Sequence, residues 1–271
     1  MNTVKASTEK LSQEVKSNGF FLKENWLTKE DQEVIRNYIF DHKPIKGSKE
    51  SLACSNNKSF LINFSKFNFR KIKISLFLNK IAKKLHLKKI AEGIFNRKAK
   101  LAQIDFYYNK ISNEPVLDWH CDNAYSGRNN VETFLHPEDY SIKFFFYLSD
   151  VSPDNGCLSY IPKSNIVTHA LRKGIYEGAI KYSPYWSLKD LRNKVLHKDT
   201  LKYIEKLVDK KDLQIFLEHS DYALEHQNNL NKFDFSLKKG GAIIFNESGV
   251  HRGSKTKLSE RLVLRFFYKK F

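Results

Sequence analysis

Short runs of alternating apolar and polar residues recur along this chain, and alternation puts successive side chains on opposite faces of a strand. From Leu101 to Asn109, Gln103, Asp105, Tyr107 and Asn109 share one face, and Ile104, Phe106 and Tyr108 share the other. Val116 to Asn123 forms a second extended run. Ser141 to Asp150 is a third, strongly aromatic, with Lys143, Phe145 and Tyr147 on one face. The tight turn Pro153-Asp154-Asn155-Gly156 leads into a strand over Cys157 to Ile161. Phe233 to Leu237 alternates again. Lys238-Lys239-Gly240-Gly241 then turns the chain into a buried-strand run, Ala242 to Phe245, and Arg261 to Tyr268 is the last strand. Phe20-Phe21-Leu22 is a short strand near the start.

Helical spacing appears elsewhere. Leu11 and Val15 mark a short amphipathic helix over Ser7 to Ser17, stopped by Asn18-Gly19. Thr28-Lys29-Glu30-Asp31 resembles a capping box with Leu27 as its staple, and Val34, Ile35, Tyr38 and Ile39 continue the helix. Ile74, Phe77, Leu78, Ile81 and Leu85 form the apolar stripe of a helix from Ile74 to Leu87. His42 to Asn56 is loop-like. Residues 166–231 break the alternation, with helices expected around Ser187 to His197 and Thr200 to Val208. This segment reads as an insertion packed over one end of a barrel, a frequent design for substrate lids. The pattern predicts a mainly β protein with flanking helices (α+β): a helical N-terminal region over about 1–100, a β barrel, and the helical insertion over about 166–231.

Composition changes this picture little. The chain has 271 residues, 41% of them hydrophobic and 14% aromatic, enough for one large domain with a substantial core. No run of 18 or more apolar residues occurs, so no membrane span is expected. The N-terminus is polar and charged, unlike a secretory signal. Cys54, Cys121 and Cys157 are odd in number and widely spaced, without CxxC, so neither a disulfide framework nor a thiolate zinc site is indicated. A cytoplasmic protein with reduced thiols is the expectation.

The net charge of +17 raises the prospect of a polyanionic partner. Only nine of the 47 basic residues are Arg, however, whereas a surface selected to read phosphates favours Arg forks. A general lysine bias explains the charge, and nucleic acid is not the expected partner. From Lys66 to Lys100 there are twelve Lys or Arg against one acid, Glu92. Such a run is ordinarily a solvated face; steering of an anionic substrate is the sharper alternative.

Candidate chemistry begins at His120-Cys121-Asp122. On an extended strand His120 and Asp122 point one way and Cys121 the other. An imidazole and a carboxylate so placed supply two members of a 2-His-1-carboxylate facial triad, which holds iron(II) and leaves positions open. His251 lies just beyond the strand Gly241 to Asn246. His42, His86, His136, His169, His197, His219 and His226 lack such a setting and read as surface or structural. Trp119 and Cys121 read as packing.

The order His120-x-Asp122, Asn155-Gly156-Cys157-Leu158-Ser159-Tyr160-Ile161-Pro162-Lys163-Ser164, Gly240-Gly241-Ala242-Ile243-Ile244-Phe245-Asn246, His251-Arg252-Gly253-Ser254 and Arg261 resembles the phytanoyl-CoA dioxygenase family of iron(II)/2-oxoglutarate oxygenases. The resemblance covers roughly 10–40, 101–164 and 233–268. It implies a double-stranded β-helix (jelly roll, cupin-like) and one dioxygenase domain over 1–271. His120, Asp122 and His251 would be the catalytic iron(II) ligands, and 2-oxoglutarate and dioxygen would take the open positions. Arg261 would bind the far carboxylate of 2-oxoglutarate bidentately. Arg265, four residues on, is its rival on the same strand face. Gln103 matches a glutamine that some relatives direct at 2-oxoglutarate, and Ser254 is a further candidate for the same carboxylate.

The implied reaction decarboxylates 2-oxoglutarate to succinate and carbon dioxide and oxidises an unactivated C–H bond of a small molecule, normally to an alcohol. Related halogenases leave the carboxylate position vacant, so Asp122 favours hydroxylation or another oxidative outcome over halogenation. Two departures stand out. Pro162-Lys163-Ser164-Asn165 replaces a frequent Pro-Gly-Ser-His, and Arg261 follows His251 by ten positions where relatives often have eleven. The insertion carries no family motif, so it leaves the substrate open. Arg128, Arg172, Tyr182, Tyr185 and Trp186 are its candidate lid-side contacts, and Lys143, Phe145, Tyr107 and Asn109 are candidates inside the cavity. The alternatives are a non-catalytic barrel whose basic surface binds nucleic acid or acidic partners, and an oxygenase acting on a macromolecule.

Overall fold

The computed structural model describes residues 2–41, 60–63, 71–122, 124, 136–227 and 230–271. The expected loop over 42–56, the start of the basic run at Lys66, Asn123 and Arg128 lie outside them. Among the described residues eight α-helices and nine strands are formed. The helices are α1 (Asn2–Asn18), α2 (Lys29–Asp41), α3 (Ile72–Lys84), α4 (Leu87–Phe95), α5 (Ser164–Tyr176), α6 (Leu188–Leu196), α7 (Lys198–Ile204) and α8 (Lys210–Glu225). The strands are β1 (Phe20–Lys23), β2 (Phe60–Asn63), β3 (Ala99–Asn109), β4 (Ser112–Cys121), β5 (Ser141–Tyr147), β6 (Leu158–Tyr160), β7 (Ala242–Asn246), β8 (Val250–Thr256) and β9 (Arg261–Lys270).

Two antiparallel sheets face each other: a six-stranded one in the order β1-β7-β5-β9-β3-β2, and a three-stranded one in the order β4-β8-β6. This α+β arrangement is a double-stranded β-helix. The alternation read from the sequence decides what each face buries. On the outer face of the large sheet, Ile104, Phe106, Phe144, Phe146, Ile244, Leu264 and Phe266 pack with Leu11, Ile35, Leu78 and Ile90 of the N-terminal helices. On its inner face, Phe145, Tyr147, Ile243, Phe245 and Val263 meet Leu158 and Tyr160 of the small sheet. Both faces being covered, β5 and β7 are buried at every position, as continuous apolar strands require.

The helices of the insertion cover the back of the small sheet. Val167, Leu171, Leu188, Leu191, Val195 and Phe216 pack there with Trp119, Cys121 and Val250. α6 starts at a Ser187 N-cap whose Oγ accepts from the Asp190 amide at 3.1 Å, and α8 at an Asp209 cap that accepts from Lys211 at 2.8 Å.

Three expectations are corrected. The helix expected from Ile74 to Leu87 breaks at His86, which takes a left-handed φ of 55°, and restarts as α4. The insertion contains α5 and α8 besides the two expected helices. The run Phe233 to Leu237 is no strand: Leu237 alone bridges to Val151. Asp234 instead accepts from the Asn231 amide at 2.8 Å and pairs with Arg252, so its carboxylate draws the local backbone away from a ladder.

Candidate metal centre

The antiparallel register of β4 and β8 sets His120 directly opposite His251, their rings 4.4 Å apart. A register shift between Leu117 and His120 re-aims the end of β4. Asp122 follows immediately, held by its amide donating to the Glu247 carbonyl at 3.1 Å. One ligand atom from each of His120, Asp122 and His251 lies within 4.8 Å of the others. His120 Nε2 is 3.6 Å and His251 Nε2 3.4 Å from the Asp122 carboxylate.

Both rings are oriented from behind. His120 Nδ1 contacts the Asp118 carbonyl at 2.6 Å and His251 Nδ1 the Gly249 carbonyl at 2.9 Å. A carbonyl only accepts, so each Nδ1 carries the hydrogen and each Nε2 keeps its lone pair toward Asp122. A side chain at position 249 would run into the Tyr160 hydroxyl, so the carbonyl that orients His251 depends on a glycine. Burial and the neighbouring His120 lower the His251 pKa, which keeps its ring neutral. Burial opposes ionisation of Asp122, yet its carboxyl is held well below the usual range, first of all by the Lys143 ammonium. Two imidazole nitrogens and one carboxylate oxygen, converging from one side, fit a divalent metal of the iron type.

The centre opens into a cavity of about 260 Å³ lined by Tyr107, Val116, Leu117, Lys143, Phe145, Leu158, Arg261 and Arg265 as well as the three ligands. Its two arginines differ in their partners. The β3–β9 register pairs Asp105 with Arg265 and Asn109 with Arg261. Arg265 is held through Nε at 2.5 Å and Nη2 at 2.9 Å by the fully buried Asp105 carboxylate. Arg261 donates to the neutral Asn109 Oδ1 at 3.1 Å, and its buried Nε has no hydrogen-bond partner among the described residues. The Asn109 amide nitrogen is likewise buried and unpartnered. Tyr147, whose ring lies 5.8 Å from the Arg261 guanidinium, is pushed up to about 12 by burial and stays neutral. Gly156 makes room for this arginine, since a Cβ there would meet its side chain. Arg261 thus presents to the cavity a buried cation that no carboxylate among the described residues compensates.

Trp186, an exposed side chain, stacks on the His120 ring at 5.0 Å. Its carbonyl accepts from the Cys121 amide at 3.1 Å, and Ser187 bridges to His120, so the insertion adds a short rung to the edge of the small sheet at the ligand itself.

Of the residues singled out from the sequence, His120, Asp122, His251 and Arg261 meet around this cavity. Lys143, Phe145 and Tyr107 line it too. Gln103 is not in the lining; its Nε2 donates to Asp105 at 2.5 Å, behind Arg265. Ser254 stands on the far face of β8, against the Cys157 thiol. Tyr185 is buried in the core of the insertion, and Arg172 donates to the His136 and Asp139 carbonyls. Glu247, which reaches Lys143 at 3.1 Å, was not legible as a site residue. Its one signal is a buried acid four residues before His251, and burial is visible only in three dimensions.

A jelly roll with two histidines and an aspartate on its small sheet defines a class of metal-dependent oxygenase sites. The chain belongs to the phytanoyl-CoA dioxygenase family, whose sequence model matches residues 63–261, most of its length. No curated protein sequence matches it. Among solved structures it is similar to the epimerase SnoN in complex with Fe3+, alpha ketoglutarate and nogalamycin RO. That likeness has a TM-score of 0.55 at 12% identity over 98% of this chain and 84% of SnoN. The carbocyclase SnoK from nogalamycin biosynthesis gives 0.57 at 13% identity over 96% and 83%. HygX from Streptomyces hygroscopicus, with nickel, 2-oxoglutarate and hygromycin B bound, gives 0.51 at 12% identity over 96% and 86%. At such identities the likeness is one of fold.

Proposed function

We propose that this chain is an iron(II)- and 2-oxoglutarate-dependent dioxygenase that hydroxylates an unactivated C–H bond of a small molecule, with release of succinate and carbon dioxide. One observation carries the reading: His120, Asp122 and His251 converge at one side of a cavity whose buried Arg261 has no carboxylate of its own among the described residues. Family membership and the fold support it.

In this reading His120, Asp122 and His251 hold iron(II), which when loaded with 2-oxoglutarate and dioxygen supplies the oxidation. The Asp118 and Gly249 carbonyls keep the two Nε2 lone pairs aimed inward. Arg261, braced by Asn109 Oδ1, offers donors to the far carboxylate of 2-oxoglutarate, a charge-assisted contact in the cavity. Arg265 is taken by Asp105 and is not the anchor; Gln103 serves at one remove, by bracing that pair. Ser254, behind β8, has a packing role. The buried Phe145 and Leu158 limit water at the reacting centre. The insertion over 166–231 acts as a cover, with Trp186 as its contact to the site, and residues 1–271 work as one dioxygenase domain.

The test is a metabolite screen for stimulated succinate formation, followed by product mass. Hydroxylation predicts a product one oxygen heavier than its substrate. An unchanged mass would mean epimerisation, and loss of two hydrogens ring closure; either would overturn the hydroxylase reading. Failure to form succinate from 2-oxoglutarate with any metabolite would overturn the oxygenase reading.

A further inference from the structure

Lys143 is the lysine among the residues that line the cavity, and it stands between two acids. Its Nζ contacts the Asp122 carboxylate directly and lies 3.1 Å from Glu247 Oε2. Both Lys143 and Glu247 are buried, Glu247 to 5% exposure. Glu247 is itself fixed, its Oε1 accepting from the Ser141 amide at 2.6 Å. The rings of Phe267 and Phe245, at 5.1 and 6.0 Å, flank the ammonium and shield it from water. Sequence order explains the convergence. Ser141 and Lys143 sit two apart on β5, while Glu247 lies in the turn that joins β7 to β8 and so to His251.

A buried charge this close to a metal ligand acts on everything that binds there. In low dielectric a unit charge within a few ångströms acts directly on the affinity of a divalent ion. We infer that Lys143, gripped by Glu247, is a positioning residue that sets the charge of the centre: it holds Asp122, restrains metal affinity, and favours the dianionic cosubstrate once the metal is present. Glu247 limits that action by taking part of the ammonium's charge. Glu247 keeps this balance from across the turn, without facing the ligands itself. The cosubstrate half of this inference rests on the oxygenase reading above; the metal half does not.

The experiment measures manganese(II) affinity from the free-ion paramagnetic signal, then 2-oxoglutarate affinity of the manganese-loaded protein by calorimetry. Lys143→Met is expected to bind manganese(II) about tenfold more tightly and 2-oxoglutarate about tenfold more weakly. Glu247→Gln is expected to do the reverse, with weaker metal binding and 2-oxoglutarate binding equal or tighter. Lys143→Arg, which keeps the charge, should return both affinities to near the parent. The double variant Lys143→Met/Glu247→Met removes both members of the Lys143–Glu247 pair, so it tests the same balance if a single variant does not fold. It should bind metal closer to the parent than Lys143→Met does. A merely structural role would weaken both affinities together in every variant, and that result overturns the inference, as does no change in Lys143→Met. Parent protein that binds manganese(II) but not 2-oxoglutarate contradicts the oxygenase reading alone. Parent protein that binds neither contradicts both.

Discussion

Two rungs of one β ladder, four residues apart, carry the same cation and opposite fates. At Asp105–Arg265 the guanidinium meets a buried carboxylate in two hydrogen bonds and its charge is cancelled inside the protein. At Asn109–Arg261 it meets an amide, and the charge remains for something else. Both arginines line the same cavity, both sit on β9, and both alternate onto the inner face. A change of one partner atom, amide nitrogen for carboxylate oxygen, separates a structural arginine from a binding one. A buried ion pair adds little net stability, yet removing one member costs much because the other is left uncompensated. A buried cation with only a neutral partner is the reverse: it burdens the fold and awaits an anion.

The comparison breaks most clearly at Arg261. Arg261→Met should weaken 2-oxoglutarate binding by about 2–5 kcal/mol, the usual consequence of truncating one side of a buried charged contact. Stability to urea should stay within about 1 kcal/mol of the parent or rise, because no internal partner loses its charge. Arg265→Met should do the opposite. It strands Asp105, fully buried, and should lower unfolding free energy by about 3–5 kcal/mol while leaving 2-oxoglutarate affinity far less changed. Asn109→Asp converts the second rung into a copy of the first. It should weaken 2-oxoglutarate by about tenfold without loss of stability, since the new carboxylate competes for Arg261. If Arg265→Met proves the one that loses 2-oxoglutarate, the two rungs have been assigned the wrong way round.

The contrast also marks where sequence reasoning stops. The period-2 pattern placed Asp105 and Asn109 on one face, and Arg261 and Arg265 on one face of a later strand, because alternation is local. Which arginine meets which partner depends on register between strands far apart in sequence, and a slip of four would set Asp105 opposite Arg261 instead. His120 and Asp122 were legible for the same local reason, and His251 through the ordered resemblance of the motifs around it. Glu247 was not, since a turn carries no periodicity. α5 could have been read: Val167, Ala170, Leu171 and Ile175 keep helical spacing and are all buried. The apparent strand at Phe233 to Leu237 misled because alternation cannot show that Asp234 is engaged by Arg252.

The central claim is that three side chains hold iron(II) while Arg261 holds the keto-acid beside it, and anaerobic absorption tests it most directly. Parent protein given iron(II) and then 2-oxoglutarate should develop a weak visible charge-transfer band. His120→Ala should lack the band, and Arg261→Met should show it only at far higher 2-oxoglutarate. Parent protein that yields no band with both components in excess, or a band that persists unchanged in His120→Ala, would contradict the account.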